Sequence, residues 1–256
     1  MLHLIIGDCR KVLKGCPSNL IHLVVTSPPY NVGIRYDGWN DNMDINEYLK
    51  FTEEWLRECY RVLVDGGRIC INLPIFNFKG KINLFYEYSR LLRKVGFKER
   101  DVIIWVKRDK HRFRVSQRGY YGSVADPHNP ILIHPCEVVL IYHKNKKWLD
   151  CGGETDISFN EYKKWVYNVW EIPPELDRKH PCPYPEELPR RLIKLYSYVG
   201  NIVLDPFAGY GTTLKVAGEL RRHCIGIEIS RKYVSLMKRR IPPLVVHDPK
   251  LYTWDG

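Results

Sequence analysis

The 256-residue sequence lacks the features that mark several classes of protein. No stretch approaches the ~18 consecutive apolar residues that a membrane span needs. The first residues have neither the basic region nor the small-residue cleavage site of a signal peptide. At 45% hydrophobic and 12% aromatic residues, the chain is also too apolar to be disordered. These absences predict a cytoplasmic protein with a sizeable core and no membrane association.

Paired metal ligands are absent as well. The eight cysteines are scattered, and no two of them form a C-x-x-C pair. A tetrahedral zinc site needs paired ligands at short spacings, which His134-Pro-Cys136 and His180-Pro-Cys182 do not provide. We therefore predict no metal site, and reduced thiols of which several are buried as small hydrophobic groups.

Acidic residues are in deficit. The chain has 40 Lys and Arg residues against 29 Asp and Glu residues, which gives a formal charge of +11. Such an excess is typical of proteins that bind a polyanion. It is equally compatible with a basic, solvated surface, so charge alone does not decide between the two.

Short apolar runs rich in β-formers alternate with amphipathic stretches. This alternation predicts an α/β fold with a mostly parallel sheet and helices on both of its faces. The clearest helix is 45–63, which we expect the Asp65-Gly66-Gly67 sequence to end, because glycine tolerates a left-handed cap. The expected strands are 2–6, 22–26, 68–72, 101–106, 137–142, 202–204 and 224–228, and the expected helices lie near 45–63, 82–95, 186–198, 212–221 and 230–240.

The first chemical motif is TSPPYN at residues 26–31, directly after a predicted strand. Open α/β sheets bind their ligands at this end of a strand. Two consecutive prolines stiffen the turn and leave backbone carbonyl groups free to accept hydrogen bonds. With the Ser27 hydroxyl and the Tyr30 ring, they could hold a planar group that carries an amino group. The alternative is a rigid proline turn with a packed tyrosine.

The second motif is DPFAGYGTT at residues 205–213, between a predicted strand and a predicted helix. Gly209 and Gly211 allow close approach of a nucleotide-like ligand, and Asp205 could bind a charged amine. The third glycine of G-x-G-x-x-G is missing, and no Gly-Lys-Ser/Thr follows, which disfavours a dinucleotide or P-loop site. Glu228 ends the next predicted strand, where a ribose-binding carboxylate belongs. Its alternative role is a cap at the junction of strand and helix.

Together, these motifs resemble the amino-group DNA methyltransferases that use S-adenosylmethionine. The catalytic motif precedes the cofactor motif, as in the circularly permuted β class, and the stretches 62–73, 103–107, 135–144 and 180–192 agree with this order. The resemblance implies the Rossmann-like methyltransferase fold and S-adenosylmethionine as the cofactor. It implies catalytic roles for Ser27, Pro28, Pro29 and Tyr30, and cofactor contacts by Asp8, Asp205, Phe207, Ala208, Gly209, Gly211, Thr212 and Glu228. Asp8 has a competing role as the N-cap of a helix that begins near Arg10.

The resemblance also implies an organisation for the whole chain. We expect a single domain over 1–256, with a catalytic-motif half at 1–106 and a cofactor-binding half at 186–240. An irregular insertion at 145–185 offers a short target-recognition segment. The basic segment 107–122 is expected to be a DNA-contacting loop rather than a solvated run, and the loop 32–44 to close over the base. The expected DNA contacts are Arg35, Lys107, Arg108, Lys110, Arg112, Arg114 and Arg118.

The implied reaction is methyl transfer to the exocyclic N4 of cytosine in duplex DNA after base flipping. Within the family, Ser at position 27 favours cytosine, and N6 of adenine is the alternative. An RNA-directed enzyme and a non-catalytic nucleic-acid-binding relic are further alternatives. We expect the enzyme to belong to a restriction-modification system, whose cognate endonuclease forms no physical complex with it. The protein could also form a homodimer.

Overall fold

The alternating pattern produces one nine-stranded sheet in the computed structural model, which describes residues 1–77, 82–107, 134–175, 184–248 and 254. The strands are β1 Leu2–Ile6, β2 Ile21–Thr26, β3 Arg35–Tyr36, β4 Trp39–Asn40, β5 Leu63–Leu73, β6 Phe76–Asn77, β7 Ile82–Asn83, β8 Lys98–Val106, β9 Cys136–His143, β10 Val169–Glu171, β11 Ile202–Asp205, β12 His223–Glu228 and β13 Leu244–His247. The helices are α1 Cys9–Val12, α2 Ile45–Val62, α3 Leu84–Val95, α4 Phe159–Trp165, α5 Glu187–Tyr196, α6 Thr212–Glu219 and α7 Arg231–Arg240. A 3-10 turn, Leu13–Gly15, follows α1.

The strand order is β10-β8-β9-β5-β2-β11-β12-β1-β13, and the pairings are parallel except for those of β9. Strand β9 runs antiparallel to both β5 and β8. The first strand, β1, lies between β12 and β13, which are the last two strands along the chain. The mostly parallel, circularly permuted sheet predicted from the sequence is therefore confirmed.

Helices cover both faces of the sheet, as expected. Successive strand residues point to opposite faces, and in β2 Val24 belongs to one buried cluster whereas Leu23 and Val25 belong to the other. The Val24 cluster contains the apolar residues of α2 and α3, and the other contains those of α5, α6 and α7. The alternating side chains of the strands thus divide the core into two layers.

The end of α2 differs from the prediction. The helix begins after Asp44, whose side chain accepts a hydrogen bond from Asn46 N at 2.8 Å, but it ends at Val62, and β5 starts at Leu63. Gly66 therefore lies inside a strand, with φ +77°. A Cβ atom at Gly66 would lie 1.7 Å from the carbonyl oxygen of Trp148. This glycine allows close approach of a neighbouring backbone and does not cap the helix.

Within its described residues, the 145–185 insertion contains two regular elements: helix α4, which lies within the stretch 159–169 that looks helical in the sequence, and strand β10. Strand β10 pairs with β8, and the Trp105 indole donates a hydrogen bond to the Ile172 carbonyl at 2.8 Å. Arg222, whose side chain is fully buried, binds Asp156 at 2.6 Å. Strand β10, with three residues, is too short for a periodic sequence signal. In the part of the chain that the structure describes, no helix is long and apolar enough to cross a membrane.

Candidate active site

The two sequence motifs meet at the carboxyl ends of adjacent parallel strands. Strands β2 and β11 pair in parallel, and the Thr26 hydroxyl donates to Asp205 Oδ1 at 2.8 Å. A cavity lies beside this junction. The predicted site residues that line it are Asp8, Ser27, Pro28, Pro29, Tyr30, Phe207, Ala208, Gly209, Thr212 and Glu228.

Asp205 lies beneath the turn and outside the cavity lining. It is 1% exposed and accepts hydrogen bonds from the Thr26 hydroxyl and from Phe207 N, the latter at 3.1 Å. Burial raises the pKa of Asp205 to about 6, although these hydrogen bonds favour the ionised form. Asp205 therefore fixes the start of the turn, and its contact with a ligand stays a prediction.

Gly211 also lies outside the cavity lining and shapes the same turn. Its φ is +78°, and it directly precedes α6. A Cβ atom at this position would lie 2.8 Å from Sδ of Met237 and 2.9 Å from Cδ1 of Ile241. Both the backbone conformation and the packing against α7 therefore require glycine.

Glu228 joins the turn to the start of α7. One carboxylate oxygen accepts from Gly209 N at 2.7 Å, and the other accepts from Ser230 N at 2.8 Å. Burial raises the pKa of Glu228 to about 7. The N-cap of α7 is the side chain of Ser230, which accepts from Tyr233 N at 3.2 Å. Glu228 is thus a cavity-lining carboxylate, and the alternative capping role belongs to Ser230.

Asp8 combines the two roles considered for it. It is the N-cap of α1, where its side chain accepts from Arg10 N at 2.9 Å, and it also lines the cavity. Burial acts to raise the pKa of Asp8, but hydrogen bonds from the Arg10 side chain and backbone outweigh it, so the pKa lies below its usual value. The carboxylate therefore stays ionised at the cavity wall.

Helix α2 supports the proline turn through a hydrogen bond. The Tyr48 hydroxyl donates to the Pro29 carbonyl at 2.9 Å. Tyr30 is 8% exposed, and its hydroxyl contacts the Ser27 hydroxyl and donates to the Asn72 carbonyl at 3.1 Å. The turn thus presents Ser27 at the cavity with its hydroxyl held by a buried tyrosine.

The loop after the proline turn supplies cavity residues that the sequence did not reveal. Asp41 accepts from Asn31 N at 2.8 Å and from Val32 N and Ile34 N at 3.0 Å, which folds the loop into the β3–β4 hairpin. The lining residues that sequence reasoning missed include Asp37, Phe51, Tyr184 and Tyr233. Tyr36 and Trp39, which also line the cavity, are the aromatic residues of the loop that the sequence predicts to close over the base.

The predicted DNA contacts are only partly placed. Lys107 follows β8, where its ammonium group forms an ion pair with Glu137 and lies 4.9 Å from the centroid of a Trp105 ring. Arg35 lies in the β3–β4 hairpin. Arg108, Lys110, Arg112, Arg114 and Arg118 lie outside the described residues. Among the residues that are described, no group of three His, Cys, Asp or Glu side chains could hold a metal ion.

Comparison with known proteins gives a consistent result over most of the chain. An N6/N4 methyltransferase family model, described as DNA methylase, matches residues 21–239. The type II methyltransferase M.HpaI of Haemophilus parainfluenzae is 35% identical, over 93% of this chain and 73% of that protein. The type II methyltransferase M.MjaI of Methanocaldococcus jannaschii is 31% identical, over 93% and 90% of the two chains.

Solved structures agree with this result. The putative DNA modification methylase TTHA0409 from Thermus thermophilus, complexed with S-adenosyl-L-methionine, is 29% identical and superposes with a TM-score of 0.76. The alignment covers 97% of this chain and 98% of that one. The cytosine-N4-specific PvuII DNA methyltransferase superposes with a TM-score of 0.71 at 19% identity, over 94% and 86% of the two chains, which shows a shared fold.

Proposed function

The chain belongs to the N6/N4 DNA methylase family, and from this premise we propose that it methylates the exocyclic N4 of cytosine in duplex DNA. Its cofactor is S-adenosylmethionine, as in the solved structures it resembles. One observation carries the proposal: the hydrogen bond between Thr26 and Asp205 joins the proline turn to the cofactor turn, and both turns line the same cavity. A base held at Ser27 would therefore lie beside a cofactor held at Glu228.

The residues of the cavity fit S-adenosylmethionine. Carboxyl oxygens accept hydrogen bonds, so Glu228 suits the ribose hydroxyl groups, and the ionised Asp8 suits the adenine amino group. The Phe207 ring is held edge-on by Phe51 and Trp55, at centroid distances of 6.0 and 5.2 Å. When bound, the cofactor supplies a methyl group on a positively charged sulfur atom. The chain contributes acceptors, an aromatic wall and the backbone of the glycine turn.

The proline turn would orient the amino group that receives the methyl group. The nitrogen is a poor nucleophile because its lone pair is conjugated into the ring. The Ser27 hydroxyl and the Pro28 carbonyl would accept hydrogen bonds from the amino group. These hydrogen bonds would shift the nitrogen toward sp³ character. The ring of Tyr30 would contact the base. Much of the acceleration is positioning, with the reacting atoms roughly 3–3.5 Å apart. The proton can leave after transfer, so no separate base is required.

The target nitrogen cannot be reached inside a duplex. We infer that the base is flipped out, at a cost of a few kcal/mol, while basic side chains hold the phosphates. The segment 107–122 and Arg35 would make these phosphate contacts. We infer further that the enzyme shares its target sequence with a restriction endonuclease, because its relatives are named type II methyltransferases.

Adenine N6 is the second candidate for the acceptor. The relative YhdJ of Escherichia coli is named a DNA adenine methyltransferase and is 29% identical over 92% of this chain. Cytosine is preferred because Ser27 occupies the first position of the motif, where the resemblance associates serine with N4 of cytosine. An enzyme directed at RNA would instead favour structured RNA over duplex DNA.

The test is transfer of a labelled methyl group from S-adenosylmethionine to duplex DNA, followed by nucleoside analysis. We expect N4-methylcytosine, and recovery of N6-methyladenine alone would exclude cytosine as the target. Pro28→Ala and Tyr30→Ala should abolish methyl transfer while cofactor binding persists. The control, Ser235→Ala on the exposed face of α7, should leave both transfer and cofactor binding unchanged. No transfer to DNA by the wild-type protein would refute the function.

A further inference from the structure

A chain of hydrogen bonds runs from Ser27 away from the cavity. The Ser27 hydroxyl contacts the Tyr30 hydroxyl, which in turn receives a hydrogen bond from Asn72 Nδ2 at 3.2 Å. The same Nδ2 donates to Glu137 Oε2 at 2.7 Å, and Glu137 forms an ion pair with Lys107. The proline turn, β5, β9 and the end of β8 are thereby connected.

The positions of the hydrogen atoms follow from the chemistry of the partners. The Asn72 backbone carbonyl can only accept, so the single Tyr30 hydroxyl hydrogen is donated to it, at 3.1 Å. The Asn72 Nδ2 group can only donate, so it uses a lone pair of the same tyrosine oxygen. The contact between Ser27 and Tyr30 must then be made by the Ser27 hydrogen. As a result, Ser27 has only lone pairs left to present to the cavity.

Glu137 fixes the orientation of the Asn72 amide. A carboxylate beside Lys107 accepts hydrogen bonds, so the nitrogen of the amide and not its oxygen must face it. Asn72 is 4% exposed, and among the described residues its Oδ1 has no hydrogen-bond partner. A buried acceptor without a partner costs stability. The amide is therefore oriented so that its nitrogen donates hydrogen bonds, while among the described residues its oxygen accepts none.

We propose that Asn72, oriented by Glu137 and Lys107, is a positioning residue that makes Ser27 an acceptor-only group for the substrate amino group. This inference rests on the proposed function. A Ser27 hydroxyl turned toward the substrate would donate to the nitrogen lone pair, which is the pair that must attack the methyl group. With its hydrogen held by Tyr30, Ser27 can only accept a hydrogen from that nitrogen. Lys107, whose contact with DNA stays a prediction, forms the ion pair that ends this series of hydrogen bonds.

Asn72→Leu removes the donor at nearly constant side-chain size. In single-turnover methylation, we expect its rate to fall about tenfold, as for the loss of one hydrogen bond, with the KM for DNA and the cofactor Kd unchanged. Its melting temperature should stay close to that of the wild type, because removal of the unpartnered oxygen offsets the hydrogen bonds that Glu137 and Tyr30 lose. The control is Asn46→Leu on the exposed face of α2, which should leave the rate unchanged.

A double-mutant cycle with Tyr30→Phe separates positioning from a general effect on structure. Once the tyrosine hydroxyl is gone, Asn72→Leu should reduce the rate by less than about twofold further. Glu137→Gln provides a second test, because it weakens the anchor of the amide and should slow transfer without changing the KM. Independent, multiplying effects of Asn72→Leu and Tyr30→Phe, or a wild-type rate in Asn72→Leu, would overturn the proposal. An inactive wild-type protein would instead refute the proposed function.

Discussion

Ionisation of Glu228 should make the cofactor-free protein less stable as the pH rises. Burial raises the pKa of Glu228 to about 7 from an ordinary value of 4.5, so between these values the folded chain binds more protons than the unfolded chain. The stability that this group contributes is complete below its unfolded pKa and is lost as the pH rises through the folded pKa. At about 1.4 kcal/mol per pKa unit, the full loss is about 3.5 kcal/mol. About 40% of it has already occurred at a pH of about 5.5, so about 2 kcal/mol remains.

The measurement is urea unfolding, followed by tryptophan fluorescence, at pH values of about 5.5 and 8.5. The wild type should lose about 2 kcal/mol more than Glu228→Gln between the two conditions. Histidines whose pKa values burial lowers titrate in both proteins and cancel in the comparison; they are His3, His22, His143, His223 and His247. Glu99→Gln, at an exposed ion pair, should behave as the wild type does. Equal pH dependence of the wild type and Glu228→Gln would refute the reasoning.

Three further substitutions test the turn and the loop. Gly211→Ala should destabilise by about 1–3 kcal/mol in calorimetry, and by more than Gly200→Ala, because Gly200 has a similar φ of +81° but nothing within 4 Å of its Cβ position. Arg240→Ala removes hydrogen bonds to the Tyr210 carbonyl and the Thr212 hydroxyl, both 3.1 Å, so titration calorimetry should show severalfold weaker cofactor binding. An unchanged affinity would contradict this role. Asp41→Ala should lower the unfolding free energy by about 3 kcal/mol, because three backbone N–H groups lose their acceptor; retained hydrogen-exchange protection at Val32 and Ile34 would argue against it.

Most strands of the sheet could be predicted because their signal is local. A short apolar run followed by a turn fixes a buried strand, and each strand predicted from the sequence lies within an observed strand. The boundary between α2 and β5 was wrong because the Gly66 conformation serves the close approach of Trp148, which is distant in the sequence. In the sequence, a glycine that caps a helix cannot be distinguished from one that allows close approach of another backbone.

The site residues likewise divide into those that local sequence identifies and those that depend on distant parts of the chain. Ser27 and Glu228 could be identified because their chemistry and their place after a strand appear in consecutive residues. Asp37 could not, since its place at the cavity wall depends on a hairpin that Asp41 folds and on a hydrogen bond of 2.7 Å from Ser230. The ion pair of Lys107 with Glu137 could not be predicted either, because the carboxylate lies on another strand; the DNA contact of Lys107 stays a prediction.

The sequence by itself determined the alternation of strands and helices, the two motifs and their order along the chain. These depend on hydrophobic period and turn chemistry, which act over a few residues. Only the tertiary structure decided that Asn72 meets Glu137, 65 residues away, and that burial shifts the pKa of Glu228. Hydrogen-bond direction and desolvation are set by all the groups that surround an atom, and most of those groups come from distant parts of the chain.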